Sequence, residues 1–329
     1  MKKRIVFMLI SVIIIIICLV TYHKINRKSD NDLTVVRLAE VTHSPFYAPL
    51  YVAVENDYFE DEGLDIELIL TSGADKVSAA VLSNTVEIGF AGAESAIYIY
   101  EGGEKDYLQI FSGLTKRDGQ FIVGRKKDDD FNLQDLIGKE ILVGRKGGMP
   151  ALNFLNALKN AGINKDDIKL NYSVEFAALS GSFIGGVGDY VNLFEPNATL
   201  LEKEEYGYSV QSIGLLSGEM PYTVFYTRKS YIDNHKEIIN KFNRAINKAL
   251  EYTEKNEAAV IAKDILPQFP DTALNDLTTI IDRYKTSDSW QNTTQVSEKA
   301  FNNLEDVLLD NNLIKDYVPF EDLVINLNE

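Results

Sequence analysis

Cysteine is almost missing from this 329-residue chain: Cys18 is the only one. No disulfide can therefore hold the chain beyond it, and neither a cysteine nucleophile nor a cysteine-based metal site can be built there. Histidine is nearly as scarce. His23, His43 and His235 are the only three, and none has zinc-ligand spacing with a second histidine or cysteine. No Gly-x-Ser-x-Gly elbow occurs, and no glycine loop ends in the Gly-Lys-Ser/Thr that cradles phosphates. The run Asp128–Asp130 lacks the glycine spacing of a calcium loop. These absences point to binding rather than turnover, with neither a cofactor nor a metal expected.

Positive charge is also in short supply. The chain has 33 basic and 49 acidic residues, and six of the basic ones fall within the first 28 positions, which hold no acid. The remainder carries a net charge of −22, which suits a soluble domain and makes a poor ligand for nucleic acid or anionic lipid. A domain of this size, without disulfides, must be held by its apolar interior and is long enough for two modest cores.

One long hydrophobic run is present. Lys2, Lys3 and Arg4 precede an apolar stretch from Ile5 to Tyr22, interrupted only by Ser11, Cys18 and Thr21. As a helix, about 18 residues rise roughly 27 Å, close to the thickness of a hydrocarbon core. No Ala-x-Ala cleavage pattern follows. Residues 1–28 are thus expected to anchor the chain in a membrane, and two kinds of tether fit. One is an uncleaved transmembrane helix. The other is a lipoprotein signal with Cys18 as the lipidated residue, although Ile17 stands where bacterial lipoprotein signals carry Gly, Ala or Ser. Three basic residues on each side of the run do not by themselves set its orientation.

Beyond residue 31, β-branched runs alternate with helical patterns. Strands are expected at 33–38, 64–70, 86–90 and 108–112, with helices at 48–58, 74–83 and 94–100 between them. The pattern breaks across 121–130, which reads as an inter-domain crossing. A second series follows, with strands at 140–143, 168–174, 190–193 and 208–213, a helix at 150–160, and a stretch at 222–227 that crosses back. The last hundred residues read as helices, with Ile238, Ile239, Phe242, Ala245, Ile246, Ala249 and Leu250 on one face. The expected architecture is α/β with two lobes: 29–120 and 222–329 form one, and 121–221 the other.

Several strand-to-helix junctions hold chemistry-bearing residues. Gly144-Arg145-Lys146-Gly147-Gly148-Met149-Pro150 puts glycines and a helix start where a ligand can approach backbone amides, or is a plain turn. Asp189-Tyr190 through Phe194-Glu195-Pro196 places a carboxylate beyond a short strand, where Glu195 meets a ligand or caps the following helix. Thr42 to Tyr47 groups hydroxyls, an imidazole and two aromatics. Ala91 to Ser95 ends in Glu94, and Lys116-Arg117-Asp118-Gly119 forms a charged turn.

The segment Thr42-His43-Ser44-Pro45-Phe46-Tyr47-Ala48-Pro49-Leu50-Tyr51-Val52-Ala53, with Tyr58-Phe59-Glu60-Asp61-Glu62-Gly63-Leu64-Asp65, resembles the opening of the substrate-binding proteins of nitrate/sulfonate/taurine-type ABC importers. These share the NMT1/THI5-like (SsuA/THI5-like) superfamily with thiamine-pyrimidine binding and synthesis proteins. Gly89 to Gly92, the Gly144–Pro150 loop, Phe194-Glu195-Pro196 and Pro221-Tyr222-Thr223 continue the likeness over residues 33–315, closer to the pyrimidine branch. The resemblance implies a type II-like periplasmic-binding fold that hinges shut on a small molecule, outside the cell membrane, and delivers it to a permease with a cytoplasmic ATPase. By position it implies a cleft lined by His43, Tyr47, Glu94, Ser95, Arg117, Gly147, Gly148, Met149, Asp189, Tyr190, Glu195 and Tyr222. Carboxylates and tyrosines suit an amino-bearing aromatic ring such as a thiamine-type pyrimidine; a sulfonate, taurine or nitrate would rely on Arg117 and the glycine loop. A pyrimidine-synthesizing enzyme and a tethered sensor are the competing readings.

Overall fold

The computed structural model describes residues 33–327. The hydrophobic run and Cys18 lie outside the described residues, and among those described no helix is long and apolar enough to cross a membrane.

Ten strands form two five-stranded sheets among the described residues. Strands β1 (Thr34–Glu40), β2 (Leu64–Leu70), β3 (Ile88–Gly92) and β4 (Leu108–Thr115) build most of the first. Strands β5 (Phe121–Gly124), β6 (Glu140–Leu142), β7 (Lys169–Asn171), β8 (Tyr190–Leu193) and β9 (Tyr208–Ser212) build the second. Strand β10 (Thr223–Arg228) then returns to the first, giving orders β2-β1-β3-β10-β4 and β7-β6-β8-β5-β9.

Each sheet is parallel where strand and helix alternate and antiparallel where the chain has just crossed. β1 runs parallel to β2 and β3, whereas β10 enters antiparallel between β3 and β4. In the second sheet β6 is parallel to β7 and β8, and β5 lies antiparallel between β8 and β9. Inserted strands are covered on both faces and so are buried along most of their length. All four residues of Phe121–Gly124 and five of the six in Thr223–Arg228 are buried.

That burial corrects one expectation. The charged stretch from 125 to 130 is not the crossing: the chain crosses at 116–120, and Phe-Ile-Val-Gly immediately after it is the inserted strand. The helix expected over 48–58 is also divided, into Ala48–Glu55 and Tyr58–Asp61, with Asp57 at φ 59° between them.

The C-terminal helices pack mainly on the first sheet. In the helix Lys236–Lys255, Ile239, Phe242, Ile246, Ala249, Leu250 and Thr253 are buried at three- and four-residue spacing. The Phe242 ring meets Phe59 at 5.0 Å, Phe111 at 5.6 Å and Phe225 at 4.9 Å. Burying such a ring contributes about 2–3 kcal/mol. Two helices also reach the second lobe: Leu274–Thr286 packs on Ala258–Ile265 and touches Asn197–Lys203, and Glu298–Asp310 touches Met149–Asn160.

Candidate functional site

The carboxyl ends of the parallel strands and the two crossings converge, and aromatic rings from both lobes meet there. After β1, Ser44 accepts a hydrogen bond from the amide of Phe46 and starts a tight turn that buries Phe46 and Tyr47. The Phe46 ring lies 5.8 Å from Phe194 of the second lobe, 5.9 Å from Tyr222 of the return crossing and 5.0 Å from Tyr284. Phe194 in turn lies 5.9 Å from Phe176, which is 48% exposed. The outward crossing passes close against this cluster because Gly119 has no side chain; a Cβ there would stand 2.7 Å from the Phe46 ring. The single tryptophan, Trp290, donates from Nε1 to the Phe46 carbonyl at 2.8 Å.

Among the described residues, two carboxyl groups without an ion pair, half-buried Glu94 and buried Asp118, border this cluster. Glu94 opens the helix after β3, and its side chain folds back over Gly92, where any Cβ would collide with the carboxylate. Burial pushes the Glu94 carboxyl up to about 7, and its Oε2 has no hydrogen-bond partner among the described residues. Asp118, in the outward crossing, accepts from the amide of Gln120 at 2.6 Å through Oδ1, and its carboxyl also interacts with the Tyr222 phenol. Burial pushes Asp118 up to about 8. Tyr222 lies between the two, held well above the ordinary phenol range first by burial and then by the charges of Asp118 and Glu94. A buried polar atom without a partner is costly. The open recesses, a 560 Å³ groove along the Asn240–Glu254 face and a 260 Å³ notch beside Lys159 and Asp310, do not adjoin these carboxyls.

Of the residues singled out from sequence, Tyr47, Glu94, Ser95 and Tyr222 share this region. Tyr47 packs on Phe90 and interacts with Thr223, and Ser95 lies beside the Tyr226 hydroxyl. The glycine loop borders it: a Cβ at Gly144 would reach van der Waals contact with Leu179 and Phe176, Gly147 adopts φ 77°, Gly148 precedes the Met149–Asn160 helix, and Met149 is buried.

Four others are committed elsewhere. The ring of His43 lies between Tyr51 and Phe269, with Nδ1 2.8 Å from Glu40 and Nε2 3.0 Å from the Gln268 carbonyl. A carbonyl can only accept, so the imidazolium satisfies both contacts. The hydrogen bond to Glu40 raises the His43 pKa above its ordinary value. Arg117 turns to Glu219 and Asp288. Glu195 accepts from the amide of Thr199 at 2.8 Å and pairs with Arg283 at 2.8 Å. Asp189 bonds the amide of Glu140 at 2.9 Å. With Tyr190, Asp189 lies at the amino end of β8, at the opposite end of that strand from Phe194. The expectation that those two line the same space as Glu195 is therefore corrected by the direction of the strand.

Reading the sequence missed Asp118, Phe176 and Arg283 as contributors. Asp118 had a signal in its neighbour Gly119, because an aspartate-glycine turn can run close against an aromatic ring.

The family described as NMT1/THI5 like matches residues 44–259. The chain is 39% identical over 298 residues to YtlA of Bacillus subtilis (strain 168), a protein designated a binding protein, covering 90% of this chain and 89% of YtlA. It is 23% identical over 228 residues to the 4-amino-5-hydroxymethyl-2-methylpyrimidine phosphate synthase of Aspergillus parasiticus, covering 66% and 65%. The alkanesulfonate-binding protein SsuA from Xanthomonas axonopodis pv. citri, solved with MOPS bound, superposes with a TM-score of 0.68 at 15% identity, over 89% of this chain and 98% of SsuA. The fold is the α/β periplasmic-binding fold with two sheets.

Proposed function

The chain belongs to the NMT1/THI5-like family, and from that premise we propose that it is the extracytoplasmic solute-binding component of an ABC importer. It takes a small polar or heteroaromatic molecule between its lobes and hands it to a membrane permease driven by a cytoplasmic ATPase. The observation that carries this reading is the meeting of Phe46, Phe194 and Tyr222 from the two lobes and a crossing, with the Glu94 and Asp118 carboxyls beside them. Rings supply apolar contact for a flat solute, and a few convergent polar atoms fix its orientation.

Binding without turnover is favoured because the relative matched at 39% identity is designated a binding protein, whereas the pyrimidine phosphate synthase is matched at 23%. A thiamine-type pyrimidine stays a candidate solute. In this account residues 1–28 hold the domain at the outer face of the membrane, which raises its effective concentration near the permease. The mass of the mature N-terminus separates a lipidated Cys18 from an intact helix.

Calorimetry against pyrimidines, taurine, alkanesulfonates and nitrate tests the function. Heat of binding together with approach of the lobes supports it. No binding by any of them, with the lobes unmoved, refutes it.

A further inference from the structure

The turn that brings Phe46 and Tyr47 to the aromatic cluster is fastened to the C-terminal helices through His43. Nδ1 of the imidazole stands 2.8 Å from Glu40 Oε1, at the end of β1. Nε2 stands 3.0 Å from the Gln268 carbonyl, between the helices Ala258–Ile265 and Leu274–Thr286. The second of those helices reaches the other lobe. There Arg283 pairs with Glu195 and Glu202, and the Tyr284 hydroxyl accepts from the Glu195 amide at 3.2 Å. The Tyr284 ring also lies 5.0 Å from Phe46. The imidazole thus joins the turn to the helix pair that grips the second lobe.

The two bonds do not survive deprotonation equally. A carboxylate and a carbonyl both accept, and only the imidazolium donates from both nitrogens; the neutral ring keeps one proton. Glu40 is buried, and its Oε2 accepts from the Tyr51 hydroxyl at 2.7 Å. Leaving a buried carboxylate short of a donor is costly, so the remaining proton stays on Nδ1. The His43 side chain is 31% exposed, and its contact with Gln268 lies on the exposed side. A neutral Nε2 turns its lone pair on the Gln268 carbonyl, and that bond becomes a repulsion. The other groups around the ring are Tyr51 from the helix Ala48–Glu55 and Phe269 from the turn. Tyr47 acts on the same carboxylate from the turn after β1, and Glu55 stands one bond further off, accepting from Gln268 Nε2 at 2.5 Å. Glu40 is the charge in contact with the imidazole.

We propose that His43 is a pH-operated fastener of the lobes. Protonated, it holds the turn against the C-terminal helices and favours the closed arrangement; deprotonated at Nε2, it frees that helix pair and lets the lobes open. Its consequence for a solute rests on the reading of the interlobe region as a solute site, whereas the lobe motion does not. The hydrogen bond to Glu40 raises the His43 pKa. The tie is therefore complete below about pH 6.5 and is lost as pH rises through the raised folded value. A charge-assisted hydrogen bond contributes on the order of tenfold to an equilibrium constant, and the closed-to-open ratio should fall by up to about that factor. Glu94 and Asp118 also ionise near this range, at about 7 and about 8, so their effect has to be separated from that of His43.

The test uses the full chain in detergent with no solute added, as Cys18→Ser with spin labels at Ser72→Cys in the first lobe and Lys146→Cys in the second. Interlobe distances are recorded from pH 5.5 to pH 9, and the His43 ring proton is followed by NMR over the same range. With three histidines in the chain, the resonance missing from His43→Gln identifies it. The expected result is a narrow distance distribution at low pH that lengthens and broadens with the midpoint of the His43 titration. Glu40→Gln removes the charge that raises His43 and should move both midpoints to lower pH together, which a merely structural role would not do. His43→Gln should lose that step. Distances that stay constant while His43 titrates overturn the fastener and leave the interlobe solute site standing. A step that persists in His43→Gln, or keeps its midpoint in Glu40→Gln, belongs to Glu94 or Asp118 and overturns it equally.

Discussion

Replacing Arg283 by methionine should loosen the grip of one lobe on the other. The guanidinium, on the Leu274–Thr286 helix, reaches the second lobe, bonding Glu195 at 2.8 Å and Thr199 Oγ1 at 3.0 Å and also pairing with Glu202. The Glu195 side chain is 0% exposed and that of Arg283 21%. Removing one member of a buried pair costs about 3–5 kcal/mol, because the other charge stays buried. Water reaches Glu202, whose side chain is 35% exposed, so the lower end, about 3 kcal/mol, is expected. The neighbouring pair Lys203–Asp276 is more exposed and adds less than about 1 kcal/mol. Since the partners belong to different lobes, the cost falls on the closed arrangement rather than on either lobe, and about 3 kcal/mol is roughly 150-fold in the closed-to-open ratio. In a Cys18→Ser background, spin labels at Ser72→Cys and Lys146→Cys would stand at the carboxyl ends of β2 and β6. Their distances should lengthen and broaden in Arg283→Met, while Arg283→Lys lies between. An unchanged distance distribution in Arg283→Met would refute the clasp.

Other outcomes follow from the same contacts. Asp118 and Glu94 are raised above their unfolded values by burial, so their contribution is complete below about pH 4 and is lost as pH rises through about 7 and 8. The empty protein should therefore be more stable at pH 5 than at pH 8, on the order of 3 kcal/mol per group, and urea unfolding of Asp118→Asn and Glu94→Gln should show a flattened dependence. His43 has the same pH sense for a different reason: its paired imidazolium stabilises below about pH 6.5, and that support disappears as pH rises through its raised folded value. His43→Ala should cost about 1–3 kcal/mol at pH 6 and less at pH 8, measured by thermal unfolding; an equal cost at both values counts against the pair. Gly119→Ala should press into the Phe46 ring and cost about 1–3 kcal/mol, with a shift in Trp290 emission because the indole is bonded to the Phe46 carbonyl. Unchanged emission and stability would show that the crossing can move aside.

Most strands were legible because β-branched runs such as Thr34–Glu40 and Thr223–Arg228 stand out between helical patterns. Phe121–Gly124 escaped because it is four residues long and adjoins a charged run that draws the eye to a linker. Glu94 was legible from its place after a strand. Asp118 was not, since its burial depends on Phe46 and Gly214, far away in sequence, closing around the crossing. Glu195 had two readings, ligand contact or cap; the bond from Thr199 supports the cap, and the partner that neutralises it lies 88 residues further on. Asp189 and Tyr190 were placed in the cleft with Glu195 by the family resemblance, although a strand of about 3.3 Å per residue separates its two ends.

The most direct measurement of the central claim is a crystal structure of the chain with a solute bound. The account predicts density for a planar molecule between Phe46 and Phe194, with polar atoms within hydrogen-bond distance of Glu94 Oε2 and Asp118 Oδ2. Density instead in the groove along Asn243 and Asn247, with the aromatic cluster empty, would contradict it.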